Sequence, residues 1–368
     1  MEKNDSQMMD RRTFIKSVGL GTAAILGGPA VVAAQSGRKA DPMVSAKKID
    51  VFTHVLPPKY KDALFEVLPE DNYFRGDIMR FYDLFYDMEK RKQAIDIPGY
   101  AQVLTLMSPF IDQIADPETA VRLAKIANDG MAEIVSKDPD KFVAAVAALP
   151  LNNMKASLEE TDRCIKELGF KGIQIPTPIC DKPLDSPEFI PLYERMAEYD
   201  LPIWIHPART VSFADYRSET MSYLGMFLYF GWPYETTLAM VRLVYSGILE
   251  KYPDLKFITH HGGAMIPFFH QRIPKKADVS RLPHKYAKLS RPGREYFKKF
   301  FVDTANIDFG AVNLSYQYYG PNNVMFGTDY PFGPPLKNTI GNIDRLDIGC
   351  TEKANIFENN TKRMLRLT

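Results

Sequence analysis

Four of the six histidines in this 368-residue chain stand at the ends of short β-branched runs: His54, His206, His260 and His261. Asp329 ends another run, in Phe326-Gly327-Thr328-Asp329-Tyr330-Pro331. The other two histidines, His270 and His284, fall in helical or loop stretches. Neutral imidazole and carboxylate are donors for zinc and other divalent first-row metals. They also move protons near neutral pH. Three or four of them converging on one mouth would make a catalytic metal site.

Something must bring them together. Eight β-branched or aromatic runs follow one another at 48–52, 100–107, 142–149, 171–176, 202–206, 256–261, 299–304 and 323–328. Helical patterns separate most of them. In 154–168, Leu158, Thr161, Ile165 and Leu168 share a face and Gly169 is placed as a cap. In 234–252, Leu238, Val241, Tyr245 and Ile248 form the apolar stripe. Strand–helix alternation predicts a parallel sheet with helical crossovers. Eight units over about 320 residues fit a closed (β/α)8 TIM barrel with insertions. An open dinucleotide-binding sheet would want a glycine-rich turn after its first strand. Here Val55-Leu56-Pro57-Pro58 follows instead. The insertion at 57–99 carries Tyr60, Phe65, Tyr73, Phe74, Phe81, Tyr82, Phe85 and Tyr86 and is expected to form a lid over the mouth.

Barrel chemistry sits at the C-terminal ends of the strands, where these residues fall. Side chains alternate faces along a strand, so Asp50, Phe52 and His54 share one face and His206 shares one with Trp204. His260 and His261 must point opposite ways. Gly262 and Gly263 leave room beside His261, which selects it as the mouth residue and His260 as a helix-facing or hydrogen-bonded structural one. Arg209, just past His206, suits a substrate carboxylate. Trp204 and the lid aromatics suit a ring.

Composition narrows the class. A net charge of +1 provides no overall field for nucleic acid or an acidic membrane. Cys164, Cys180 and Cys350 are scattered without the spacing of a zinc knot or disulfide framework. At the start, Asp10-Arg11-Arg12-Thr13-Phe14-Ile15-Lys16 is a twin-arginine pattern, followed by a weakly apolar Gly/Ala-rich run ending at Ala33-Ala34. Residues 1–34 are read as an export signal, 35–46 as a linker and 47–368 as the barrel. The mature protein is expected in the periplasm, off the membrane.

The stretches "KKIDVFTHVLPPKYKDAL", "KGIQIPT", "PIWIHP", "ITHHGGAMIPF" and "VMFGTDYPFG" resemble the metal-dependent amidohydrolase superfamily. The branch is that of aminocarboxymuconate semialdehyde decarboxylase, with its 6-methylsalicylate and hydroxybenzoate-type decarboxylases. The resemblance implies a distorted barrel and a divalent metal, zinc first and manganese second. It implies His54, His206 and Asp329 as ligands, Asp329 also as proton carrier, and His261 in acid–base work. It implies a homodimer and a small aromatic or unsaturated carboxylic acid as substrate. Phe52 departs from it, because it takes the first place of the H-x-H pair and cannot coordinate. Asp50 lies about 6.6 Å deeper along the strand, out of reach of a metal at the mouth. The expected reaction is non-oxidative decarboxylation. The same ligands would also suit a hydrolase acting on a lactone, ester or amide, and Phe52 favours a third reading, a metal-free binding barrel.

Overall fold

The computed structural model describes residues 47–70, 72, 75, 83–273 and 287–367. The expected signal and linker lie outside the described residues, as do Tyr73, Phe74, Phe81 and Tyr82 of the expected lid.

The β-branched runs are strands: β1 (Lys48–Val55), β2 (Tyr100–Leu106), β3 (Phe142–Ala145), β4 (Ala147–Ala148), β5 (Ile173–Thr177), β6 (Ile203–Pro207), β7 (Phe257–Thr259), β8 (Phe301–Asp303) and β9 (Val324–Met325). All neighbours pair in parallel, in the orders β1-β2-β3 and β4-β5-β6-β7-β8-β9. The third expected run is split at Val146, because its first half bonds to β2 and its second to β5. The ring closes between the last strand and the first. Val51 N–H donates to Phe326 O (3.0 Å), Asp329 N–H to Phe52 O (3.0 Å) and His54 N–H to Tyr330 O (2.7 Å). The strands are buried on both faces, as a barrel wall covered by helices must be.

Around the ring lie α1 (Pro58–Val67), α2 (Met88–Ala94), α3 (Pro117–Lys137), α4 (Met154–Lys166), α5 (Ile190–Tyr199), α6 (Trp232–Tyr245) and α7 (Phe309–Tyr319). Their starts are set locally. Asp116 accepts from the Glu118 and Thr119 N–H groups ahead of α3, and Asn153 accepts from Ala156 N–H ahead of α4. The buried face of α4 is Ser157, Glu160, Thr161 and Cys164, rotated from the expected Leu158–Ile165 stripe. The cause is polar: Asn128 reaches inward to the backbone of Ala148 and also bonds Glu160. In α6 the buried face includes Ala239, Met240, Leu243 and Val244, whereas Leu238 is exposed. That helix stops at Tyr245, before Gly247 at φ +85°, so Ile248 belongs to a separate turn.

Two apolar clusters fill the fold. One lies between sheet and helices, and takes in Tyr60 and Phe85 of the insertion as core side chains. The other plugs the barrel with Ile49, Val51, Val103, Trp204, Ile258 and Met325. Gly172 lets this plug close, since a Cβ there would lie 2.3 Å from Pro202 O and 2.6 Å from the Trp204 ring. All three cysteines are free, and only Cys164 is buried. No described helix is long and apolar enough to cross a membrane.

Candidate active site

His54, near the end of β1, and Asp329, beyond β9, meet directly: Nε2 to Oδ1 is 3.0 Å. The Thr105 hydroxyl donates to Thr53 O and lies 3.3 Å from His54 Nδ1, so it accepts from that nitrogen. In the tautomer with a hydrogen on Nδ1, His54 Nε2 and Asp329 Oδ1 both present lone pairs to the same space. The other Asp329 oxygen accepts from Asn306 Nδ2 at 2.6 Å. Asp329 stands at φ +63° and Asn306 at φ +54°, turn conformations in which Asp and Asn are among the residues best tolerated.

His206 lies beside His54, with ring centroids 5.2 Å apart. Its Nδ1 donates to Pro207 O at 2.6 Å, which leaves Nε2 as the lone-pair nitrogen. Burial, and then the neighbouring imidazoles, hold its pKa well below the usual range. His206 is therefore neutral at physiological pH, the form a metal takes.

The His260–His261 pair departs from expectation. His260 is fully buried and its ring lies flat on Phe52, 3.4 Å between centroids at 15°. Its Nδ1 is 2.6 Å from Asp303 Oδ2, while Asp303 Oδ1 accepts from the His261 and Ala305 N–H groups. His260 Nε2 has no hydrogen-bond partner among the described residues. Burial holds His260 well below the usual pKa and raises Asp303 to about 7. His261 is half-buried, at φ +58°, with Nδ1 also unpartnered among the described residues. Of the two expected alternatives for His260, it is hydrogen-bonded, to Asp303, and not helix-facing: both rings border the cluster, and His260 is the anchored one. The space read beside His261 is also filled: a Cβ on Gly262 would meet Ser315 and one on Gly263 would meet Tyr319.

Phe52 sits at the centre of these rings. Its centroid is 4.6 Å from His54, 5.6 Å from His206 and 6.2 Å from His261. Its N–H donates to Asp50 Oδ1 and its carbonyl accepts from Asp329, so the backbone is tied on both sides. Asp50 does not share its face. The register of β1 shifts between Asp50 and Thr53, and Asp50 turns towards Tyr100 and Thr328.

Trp204 is corrected as a substrate contact: it is wholly buried in the barrel plug and donates to Val51 O at 3.0 Å. The aromatic walls are instead Phe110 and Trp232 against His206 (5.2 and 5.5 Å) and Phe332 against His54 (6.0 Å). Phe85 of the insertion backs Phe332 at 4.9 Å. Arg209 adjoins this wall, its carbonyl accepting from Trp232 Nε1. Its guanidinium lies over Phe213 at 4.8 Å and 3.8 Å from Glu235.

Asp303, Asn306, Thr105 and Trp232 were not singled out from the sequence. Asp303 ends the seventh β run, so the strand-end rule applied there would have found it.

Among the described residues no three His, Cys, Asp or Glu side chains are gathered as a ligand set, and His54 and Asp329 bond each other. The donor chemistry nevertheless suits a divalent ion: two imidazoles, one of them held neutral, and a carboxylate.

Geometry and comparison agree on the class. The amidohydrolase family model matches residues 49–367, and the chain belongs to that family. It is 29% identical over 343 residues to 2-amino-3-carboxymuconate-6-semialdehyde decarboxylase of Dictyostelium discoideum, covering 87% of this chain and 92% of that one. It is 31% identical over 296 residues to gamma-resorcylate decarboxylase of Polaromonas sp. strain JS666, covering 74% and 87%. The crystal structure of a dihydroxybenzoic acid decarboxylase from Polaromonas sp. JS666, with bound manganese and the inhibitor 2-nitroresorcinol, superposes with a TM-score of 0.70. It is 25% identical and the match covers 87% of this chain and 97% of that one.

Proposed function

We propose that this barrel is a non-oxidative decarboxylase of a small aromatic carboxylic acid, working with a divalent metal. The observation that carries the reading is the Asp329–His54 contact, a carboxylate and an imidazole 3.0 Å apart at an aromatic-walled mouth. In the reaction a proton adds to the ring carbon bearing the carboxylate, and the C–C bond breaks. Its electron pair restores the ring and CO2 leaves, so one proton is consumed per CO2 released.

Asp329 is the proton carrier, with Asn306 fixing its second oxygen. His260, anchored through Nδ1 by Asp303 and bare at Nε2, takes the acid–base role that the sequence assigned to His261. Phe110, Trp232 and Phe332 enclose the ring and exclude water, which strengthens each polar contact inside. Arg209, whose guanidinium lies over Phe213 and 3.8 Å from Glu235, is the candidate partner of a substrate carboxylate. The metal, manganese or zinc, would be held by His54, His206 and Asp329, and supplies Lewis-acid pull on substrate oxygens when bound.

The test is CO2 release from a panel of hydroxybenzoates by purified protein given manganese or zinc. Carboxylates left intact while lactones or esters are opened would replace this reading with hydrolysis. The twin-arginine stretch supports export to the periplasm, checked by cell fractionation. Exposed Leu224, Tyr229, Phe230 and Phe268 support a homodimer, checked by light scattering.

A further inference from the structure

We infer that Phe52 makes the metal of this enzyme a loosely held, exchangeable ion, and that this one side chain sets the affinity. The inference rests on the proposed metal-dependent function. Three observations carry it.

The first is place. The Phe52 ring, with no exposure, contacts the rings of His54, His206, His260 and His261. A phenyl ring has no lone pair to offer, so it takes up ligand space without contributing a donor. The second is rigidity. Phe52 N–H is bound by Asp50, its carbonyl by Asp329 N–H, and its ring lies flat on an imidazole that Asp303 anchors. The backbone bonds fix the Cα and the stack on His260 opposes rotation of the ring, so an ion is held from the open side only. The third is the state of the remaining ligands. Of His54, His206 and Asp329, two lie against each other, His54 Nε2 3.0 Å from Asp329 Oδ1, and have to part before both can hold an ion.

The experiment uses the full chain and the metal alone. Wild type and Phe52→His are loaded with Mn(II) or Zn(II) and dialysed against metal-free buffer. The retained metal is measured by elemental analysis and the affinity by calorimetric titration. Wild type should lose most of its ion, and Phe52→His should keep about one per chain. The variant should bind ~100-fold or more tightly, at least the upper end of what an outer-shell partner contributes. Wild type that retains about one ion per chain, or equal affinities, overturns the inference. If Phe52→His does not fold, Phe52→Glu offers a donor in its place, and wild-type retention alone still decides. The decarboxylase reading fails separately: metal-saturated wild type releasing no CO2 retires it, whatever the affinity.

Discussion

Two polar clusters lie back to back across β1, and they differ in how completely they are bonded. Behind the sheet, at the seam where the barrel closes, Asp50 uses both oxygens twice. Oδ1 accepts from the Phe52 and Thr328 N–H groups, and Oδ2 from the Tyr100 and Thr328 hydroxyls. Arg91 of α2 adds bonds to Gln102 and to the carbonyls of His54 and Leu84, and stacks over Tyr330. At the mouth, by contrast, His260 Nε2 and His261 Nδ1 are buried and bare. The Asp50 carboxylate is saturated and fixes one structure, although Arg91 Nη2 and the Tyr330 hydroxyl beside it are without a partner among the described residues; the bare imidazole nitrogens in a concave aromatic site are free for substrate. The seam is there to hold β1 to the last strand; the mouth is there to react.

Substitutions should therefore separate activity from stability. The largest effect belongs to Asp329→Asn, which removes the proposed proton carrier and keeps the shape. CO2 release should fall by ~10²–10⁴-fold, the usual contribution of a positioned acid or base, while the melting temperature changes little. Activity within tenfold of wild type would move the proton elsewhere. His260→Ala should lose more activity than His261→Ala under the same assay, and the reverse order would restore the assignment made from strand alternation.

At the seam the expected effect is on stability. Asp50→Ala strands four donors in the interior, at ~1–3 kcal/mol for each that stays unsatisfied, and urea melts should show it. Activity per folded molecule should hold, and a collapse of activity with unchanged stability would dissolve the contrast. Trp204→Phe orphans the Val51 carbonyl in the barrel plug, for a loss of about 1–3 kcal/mol and no change in KM. A raised KM would return Trp204 to the substrate.

A further effect at the seam is in pH. Burial raises the Asp50 carboxyl from 3.8 to about 7 against the pull of its hydrogen bonds. Between those values the folded chain keeps a proton that the unfolded chain has lost. Its stabilisation is present below about 4 and fades as pH rises through about 7. Asp50→Asn has no such dependence. The stability gap between wild type and variant should narrow as pH rises from about 4 to about 7 and then level off. A gap that widens means the four donors outweigh burial and keep the group ionised.

The strand-end rule made the mouth legible: His54, His206 and Asp329 do converge there, and the eight-strand order is that of the barrel. Local distortions were not legible. The register shift in β1 sends Asp50 and Phe52 to different places, against simple alternation. The positive φ of His261 leaves His260 the better anchored of the pair, and neither residue type announces such a turn. Trp204 reads as an aromatic near a site, but depth along the strand places it two residues below His206, inside the plug. The walls come from Phe110, Trp232 and Phe332, on segments far apart in the chain, which no local pattern links.

The central claim is that the mouth replaces a ring carboxylate with a proton. The most direct test is to run the reaction in D2O with a dihydroxybenzoate and follow the ring by NMR. The account predicts CO2 matching product formed, with one deuterium on the carbon that bore the carboxylate, and loss of both in Asp329→Asn. Product that keeps its carboxylate, or gains water without releasing CO2, would contradict it.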